Sequence, residues 1–216
     1  MSLPSITQGR VLAIECATEA CSVALFQDGV LVAGEFRQLG RGHAEALVPM
    51  IAALPGRGQA DAIVTGLGPG SFTGVRIALA AARALALAWG VEAAGYPTLA
   101  LIAAMARDGA AREVLVATTG GHGEWFVQGF GPDGAALGPL ASLTPEAAAG
   151  TTPALVAGSQ AEALVARRGF GQALPLWPDA RALMLLGQAH LTTDLAPLYG
   201  RAPDARLPGG RLPDAA

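Results

Sequence analysis

GLGPGSFTGVRIALAAARALALAWG, residues 66–90, joins a glycine-rich loop to a long alanine-rich segment. The loop fails two phosphate-binding templates. A Walker loop ends Gly-Lys-Ser/Thr, whereas Gly74 is followed by Val75 and Arg76. Gly68-Pro69-Gly70 starts like a dinucleotide fingerprint, but Thr73 stands where its last glycine belongs, and the proline removes an amide donor. The loop therefore reads as a sharp strand-to-helix turn, with Ser71 or Thr73 placed to cap the helix. The spacing predicts a helix from about Thr73 to Trp89. At ~100° per residue, Arg76, Leu79, Ala80, Arg83 and Leu87 share one face and Ala78, Ala81, Ala82, Leu85 and Trp89 the opposite one. A helix this apolar all round must be covered on nearly every side. Its arginine side is expected to meet a partner.

Working outward, DAIVTGLGPG (61–70) is a short buried strand running into the loop. Upstream, Val11–Ala17, Ser22–Phe26 and Val30–Phe36 read as three consecutive strands, with a turn signal at Gln27-Asp28-Gly29. HAEALVPMIAAL (43–54) carries Leu47, Met50, Ile51 and Leu54 at helical spacing, with a kink expected at Pro49. TLALIAAMA (98–106) is another helix, and RDGAARE (107–113) a boundary. The pattern then partly restarts. Residues 113–137 read as strand, turn, strand, turn and a third strand; residues 153–169 as strand, turn and helix; and PDARALMLLGQAHL (178–191) as a final helix. Strands first, then helices alternating with strands, given twice, predicts an α/β chain of two lobes related by duplication, each a mixed sheet flanked by helices. The lobes are placed at 1–107 and 108–196, and the Pro/Gly-rich residues 197–216 are expected to form a mobile tail.

Of the 216 residues only 14% are charged, the net charge is −3, and no basic run equips the chain to grip nucleic acid alone. The longest apolar stretch, Ile77–Val91, contains Arg83 and Gly90 and is too short and interrupted to span a bilayer. MSLPSITQGR has no apolar signal core; a ragged terminus without export is expected. Cys16 and Cys21 face each other if Thr18-Glu19 form a hairpin turn. Directly opposed positions suit a disulfide poorly, so two reduced thiols are expected.

The catalytic inventory is thin. Glu15, ending the first strand, is placed to orient a metal-bound water beside a nucleotide phosphate, or to cap backbone amides. Gly120 and Gly121, within TTGGHG (118–123), are flexible enough to cradle a phosphate, and Gly158, within VAGS (156–159), sits where an adenine or ribose would rest. Yet no second acid partners Glu15. His43, His122 and His190 are scattered and none has metal-ligand spacing; His43 reads as a capping or interface residue. No Gly-x-Ser-x-Gly elbow is present. No catalytic residue and no metal ligand is assigned.

VLAIECATEACSVALF (11–26), GHAEALVPMI (42–51) and GLGPGSFTGVRIALAAARALA (66–86) together resemble the TsaB family, also called YeaZ-like and grouped with the M22 glycoprotease-like proteins. The resemblance is strong over residues 11–105 and weaker beyond, where GEWFVQGF (123–130) and APLYGR (196–201) sit at related places. It implies a two-lobed actin-like/hexokinase-like ATPase (ASKHA) fold with ribonuclease H-like lobes, and a cytoplasmic, non-catalytic subunit with no cofactor of its own. The implied partners are a TsaD-like subunit, which transfers threonylcarbamoyl to adenosine 37 of ANN-decoding tRNAs, and a TsaE-like ATPase. ATP and metal would belong to these partners, and tRNA would be met only through the complex. A homodimer through the same first-lobe helices is also implied. The interface residues expected from this reading are His43, Leu47, Met50, Ile51, Arg76, Leu79, Ala80 and Arg83. The alternative is an ATP-dependent kinase or glycoprotease-like enzyme of the same fold. Two departures from the family pattern stand out: Glu15 replaces a frequent aspartate, and TTGGHG replaces an Asp-Ala-Arg-like segment.

Overall fold

Residues 3–200 are described by a computed structural model. The first strand, β1 (Arg10–Glu15), is buried on both faces, which explains its unbroken apolar run. Val11 and Ala13 point into the core between the lobes; Leu12, Ile14 and Cys16 point to the outer face. β2 (Ala20–Gln27) and β3 (Val30–Gln38) continue as an antiparallel meander, with β2 beside β1. α1 (His43–Ala53) crosses over and continues through Pro49 as one helix. β4 (Ala62–Gly66) then pairs parallel to β1, α2 (Phe72–Trp89) follows, and β5 (Glu92–Tyr96) pairs parallel to β4. The sheet order is β3-β2-β1-β4-β5. α1 and α2 cover its outer face through Leu47, Met50, Ile51, Ala78 and Ala82.

After α3 (Thr98–Arg107), the arrangement repeats. β6 (Val114–Thr119), β7 (Trp125–Phe130) and β8 (Ala141–Leu143) form the antiparallel half, and β9 (Leu155–Ala157) and β10 (Gln172–Leu174) the parallel half. The order β10-β9-β6-β7-β8 matches the first sheet strand for strand. α4 (Pro145–Ala148) and α5 (Ala161–Arg168) pack on its outer face. α3 lies between the sheets, its Leu99, Leu101 and Ile102 fully buried in the shared core.

Three expectations change here. The final helix is broken: a 3-10 turn at Ala180–Ala182, a short α6 (Leu183–Leu186) and a second 3-10 turn at Gln188–His190, with Gly187 at φ 77 and ψ 159 ending the run. This segment packs on the first lobe, where the Ala180 N–H donates to Ser22 Oγ at 2.9 Å and Thr192 pairs with Gly95 of β5. The N-terminal stretch is not ragged throughout: Ile6 is buried in the shared core, and its N–H donates to Gln188 Oε1. Nor is residue 197 the start of a loose tail, because Leu198 donates to Leu67 O at 2.8 Å and Gly200 packs against Phe126. The rest of that expected tail, from residue 201, lies outside the described residues.

Candidate functional site

Two features invite function: the cleft between the lobes and the outer surface of α1 and α2. The cleft holds a cavity of about 710 Å³. Its first-lobe wall is the β1–β2 turn (Ala17, Thr18, Glu19) and the start of α2 (Gly70 to Arg76), and its second-lobe wall is the β6–β7 turn with Phe126. The glycines of the 66–74 loop now have a physical reason. A Cβ at Gly70 would run into the carbonyl oxygen of Ala17, and one at Gly74 into that of Cys16. The loop presses backbone to backbone on the β1–β2 turn, fixing α2 against the sheet. Ser71 is the cap: its Oγ accepts from the Gly74 N–H at 3.2 Å.

Gly120 and Gly121 line the cavity, as a phosphate cradle would require. Glu15 and Gly158 do not. Gly158 is buried where the end of β9 meets the Ala117 carbonyl, at φ 113. Glu15 shares the strand face of Val11 and Ala13 and so points into the shared core, fully buried. Its Oε1 accepts from the Ala17 N–H at 2.7 Å and its Oε2 from the Thr98 hydroxyl at 3.1 Å; Thr98 Oγ1 in turn accepts from the Gly68 N–H at 3.2 Å. One carboxyl thus ties together the β1–β2 turn, the glycine loop and the start of α3. Burial pushes its pKa up to about 7, against the pull of these hydrogen bonds. The neighbouring Tyr96 phenol is pushed well up, by burial first and by the Glu15 carboxyl second. With Glu15 withdrawn, Glu19 is the one carboxylate lining the cavity among the described residues. Such a lining lacks the pair of acids that would hold a nucleotide-bound metal. Among the described residues no three His, Cys, Asp or Glu side chains are grouped to hold a metal ion.

The expected interface residues divide. His43, Leu47, Met50, Ile51 and Leu79 are buried within the chain itself. His43 opens α1 and its Nε2 sits 2.9 Å from Thr18 O, an internal tie to the β1–β2 turn. Leu79 joins Ala17, Leu67 and Val75 in a small apolar cluster. Arg76, Ala80 and Arg83 are exposed, but both arginines are engaged by the chain's own C-terminal segment. Arg76 donates to the Tyr199 hydroxyl, and Arg83 Nη2 donates to Leu195 O at 3.0 Å. The open stripe of α2 is therefore Thr73, Ala80, Ala84, Leu87 and Ala88, with Leu87 86% exposed. Beside it α1 exposes Ala44, Val48, Pro49 and Ala52, with Val48 63% exposed. Helical periodicity pointed to Leu87; Val48 and Ala84 went unnoticed, although both fall on the α1 and α2 faces that the core leaves free. By length and composition alone α2 is long and apolar enough to cross a membrane, a test that core helices of globular proteins also pass. Its inner face is packed on β4 and α1, so its apolar content is shared between a core and this open stripe.

Cys16 and Cys21 are free and buried, with sulfurs 3.3 Å apart across the hairpin, as their opposed positions require. The hydrogen bond to Cys21, together with burial, pushes the Cys16 thiol well up.

The model of the TsaD family, tRNA N6-adenosine threonylcarbamoyltransferase, matches residues 37–139. The Escherichia coli tRNA threonylcarbamoyladenosine biosynthesis protein TsaB is 43% identical over 124 residues, which is 54% of this chain and 53% of that protein. The chain thus spans about half the length of this curated relative. Two solved structures from Pseudomonas aeruginosa superpose with TM-scores of 0.73. YeaZ is 29% identical over 89% of this chain and 100% of that one. A protein described as similar to peptidase YeaZ is 30% identical over 90% of this chain and 100% of that one. The duplicated sheets are those of the actin-like/hexokinase-like fold. From the three N-terminal motifs to the matched second lobe, the chain belongs to the TsaB (YeaZ-like) family.

Proposed function

We propose that this chain serves the biosynthesis of N6-threonylcarbamoyladenosine in tRNA as a non-catalytic subunit that docks a TsaD-like threonylcarbamoyltransferase. The observation that carries the reading is the open apolar surface of α1 and α2, two helices of a TsaB-family chain whose inner faces are packed and whose outer faces present Val48, Ala80, Ala84 and Leu87. Small residues along α2 let a second helix approach closely, and the large side chains at Val48 and Leu87 supply area to bury. Such a patch, rimmed by polar residues, marks a docking surface. The withdrawal of Glu15 from the cleft supports a subunit that acts through its partner rather than by chemistry of its own. A TsaE-like ATPase as a further partner, and a cytoplasmic location, go with this reading.

The test is reconstitution with the TsaD-like and TsaE-like proteins of the same cell, with threonylcarbamoyladenosine measured in digested tRNA. Modification is expected to require this chain, and the chain alone is expected to show no ATP turnover. Brisk turnover by the isolated chain would overturn the non-catalytic assignment.

A further inference from the structure

The chain itself forms part of the outer wall of the cleft. After pairing with β5 at Thr192, the chain runs across the first half of α2 and ends, among the described residues, in the cavity wall as Leu198, Tyr199 and Gly200. The two ends of this strap are held in different ways. At Leu195 the side chain packs on the buried cluster of Ala17, Leu67, Val75 and Leu79, and the carbonyl accepts from Arg83. At Tyr199 the contacts are exposed. The ring stacks on Phe72 with centroids 5.6 Å apart and an interplanar angle of 27°, and the hydroxyl accepts from Arg76 Nε and Nη2 at 3.2 and 3.0 Å. The Arg76 guanidinium itself lies 3.4 Å from the Phe72 ring centroid. Tyr199 is 45% exposed and Phe72 55%.

We propose that Leu195–Gly200 is a clasp for the interlobe cavity, hinged at Leu195 and latched by the Tyr199–Phe72–Arg76 cluster. Three observations converge on it. The latch joins the lobes, because Gly200 sits against Phe126 of β7 and Pro69 of the glycine loop so closely that a Cβ there would overlap the Phe126 ring. Opening breaks the exposed stacking and cation–π contacts, the two Arg76–Tyr199 hydrogen bonds, the packing of Gly200 on Phe126 and one backbone hydrogen bond from Leu198 to Leu67. These contacts lie mostly at the surface and are individually worth little. The hinge stays seated because Leu195 rests on buried apolar side chains, while the Ala196 N–H donates to Asp194 Oδ1 just before Pro197. Releasing the latch uncovers Phe72, Val75 and Phe126 as an apolar floor. A bulky apolar molecule then reaches that floor through the widened mouth of the cavity.

The test uses full-length protein and the Tyr199→Ala variant, with amide hydrogen exchange at Leu198 and the fluorescence of the apolar dye anilinonaphthalene sulfonate as readouts. Exchange at Leu198 is expected to quicken about tenfold or more and dye emission to rise severalfold, while amides of β1 and β6 keep their wild-type rates. Arg76→Gln, which attacks the latch from the other side, is expected to reproduce both changes. Wild-type exchange and dye binding in both variants would overturn the proposal. So would equal acceleration at β1 and β6, which would make Tyr199 a prop of the whole fold instead of a latch.

Discussion

The carboxyl of Glu15 and the hydroxyl of Thr98, 83 residues apart in the chain, meet at 3.1 Å in the buried core between the lobes. Burial of that carboxyl makes stability sensitive to pH, because it outweighs the hydrogen bonds, Thr98's included, that favour the charged form. Glu15 is raised from an ordinary carboxylate value to about 7 in the folded protein, so the folded state holds a proton that the unfolded state has released. Stability from this group is full below about pH 4.5 and is lost as pH rises through about 7. The loss is about 3 kcal/mol. Glu15→Gln removes the titration, so its unfolding free energy, measured by urea denaturation, is expected to gain on wild type by about that amount between pH 4.5 and 7.5. Parallel pH profiles would show that Glu15 stays ionised.

Gly74 and Gly90, at the two ends of α2, should respond differently to alanine. At Gly74 the new Cβ meets the Cys16 carbonyl oxygen, backbone against backbone, and neither can yield. Alanine gains about 1 kcal/mol in helix propensity there, yet a net loss of about 1–3 kcal/mol is expected from the forced shift of α2. Gly90 has open space around it and only its φ of 67 to resist substitution, a penalty of about 1–2 kcal/mol. In addition, Gly74→Ala should weaken partner docking, because it displaces the helix, whereas Gly90→Ala should not. Thermal melts and binding measured on the same preparations check both statements.

Cys16 and Cys21 are expected to be inert to a thiol reagent in the native protein and to react as two free thiols once it is unfolded. Burial keeps both out of reach, and Cys16 is pushed away from its reactive thiolate form. A protein prepared without reductant whose mass lacks two hydrogens would contradict this.

Much of the first lobe was legible because its signals are local. β1 to β3, α1 to α3 and the Ser71 cap follow from periodicity, turn residues and one hydroxyl. β5 was missed because Glu92-Ala-Ala-Gly-Tyr96 is poor in β-branched residues; parallel pairing with β4 makes it a strand. The helical wheel placed Leu79 beside Arg76 correctly but could not tell that this flank is covered, since α2 is apolar on every side and the covering strap comes from residues 195–199. Leu47, Met50 and Ile51 pose the same problem: an apolar stripe reads alike whether its cover is the chain's own sheet or a partner. The sequence places Glu15 at the end of β1, but whether it faces the cleft or the core depends on the second lobe, and the structure sets it on the core face with Val11 and Ala13. The strap itself was hidden by its proline and glycine content, although Leu195, Leu198 and Tyr199 were the apolar anchors to notice.

The measurement that bears most directly on the proposed docking surface is the affinity of the Ala84→Glu variant for the TsaD-like partner, by titration calorimetry. Ala84 lies on the open stripe of α2, and unlike Ala80 it has no arginine three or four residues away to pair with a new carboxylate. In the free protein the charge stays in water, so the melting temperature is expected to remain near wild type. In the complex it would be trapped in a close helix–helix contact, at a cost of about 3 kcal/mol, and affinity is expected to fall about a hundredfold or more. Wild-type affinity from a variant of wild-type stability would contradict the account and place the partner elsewhere on the surface.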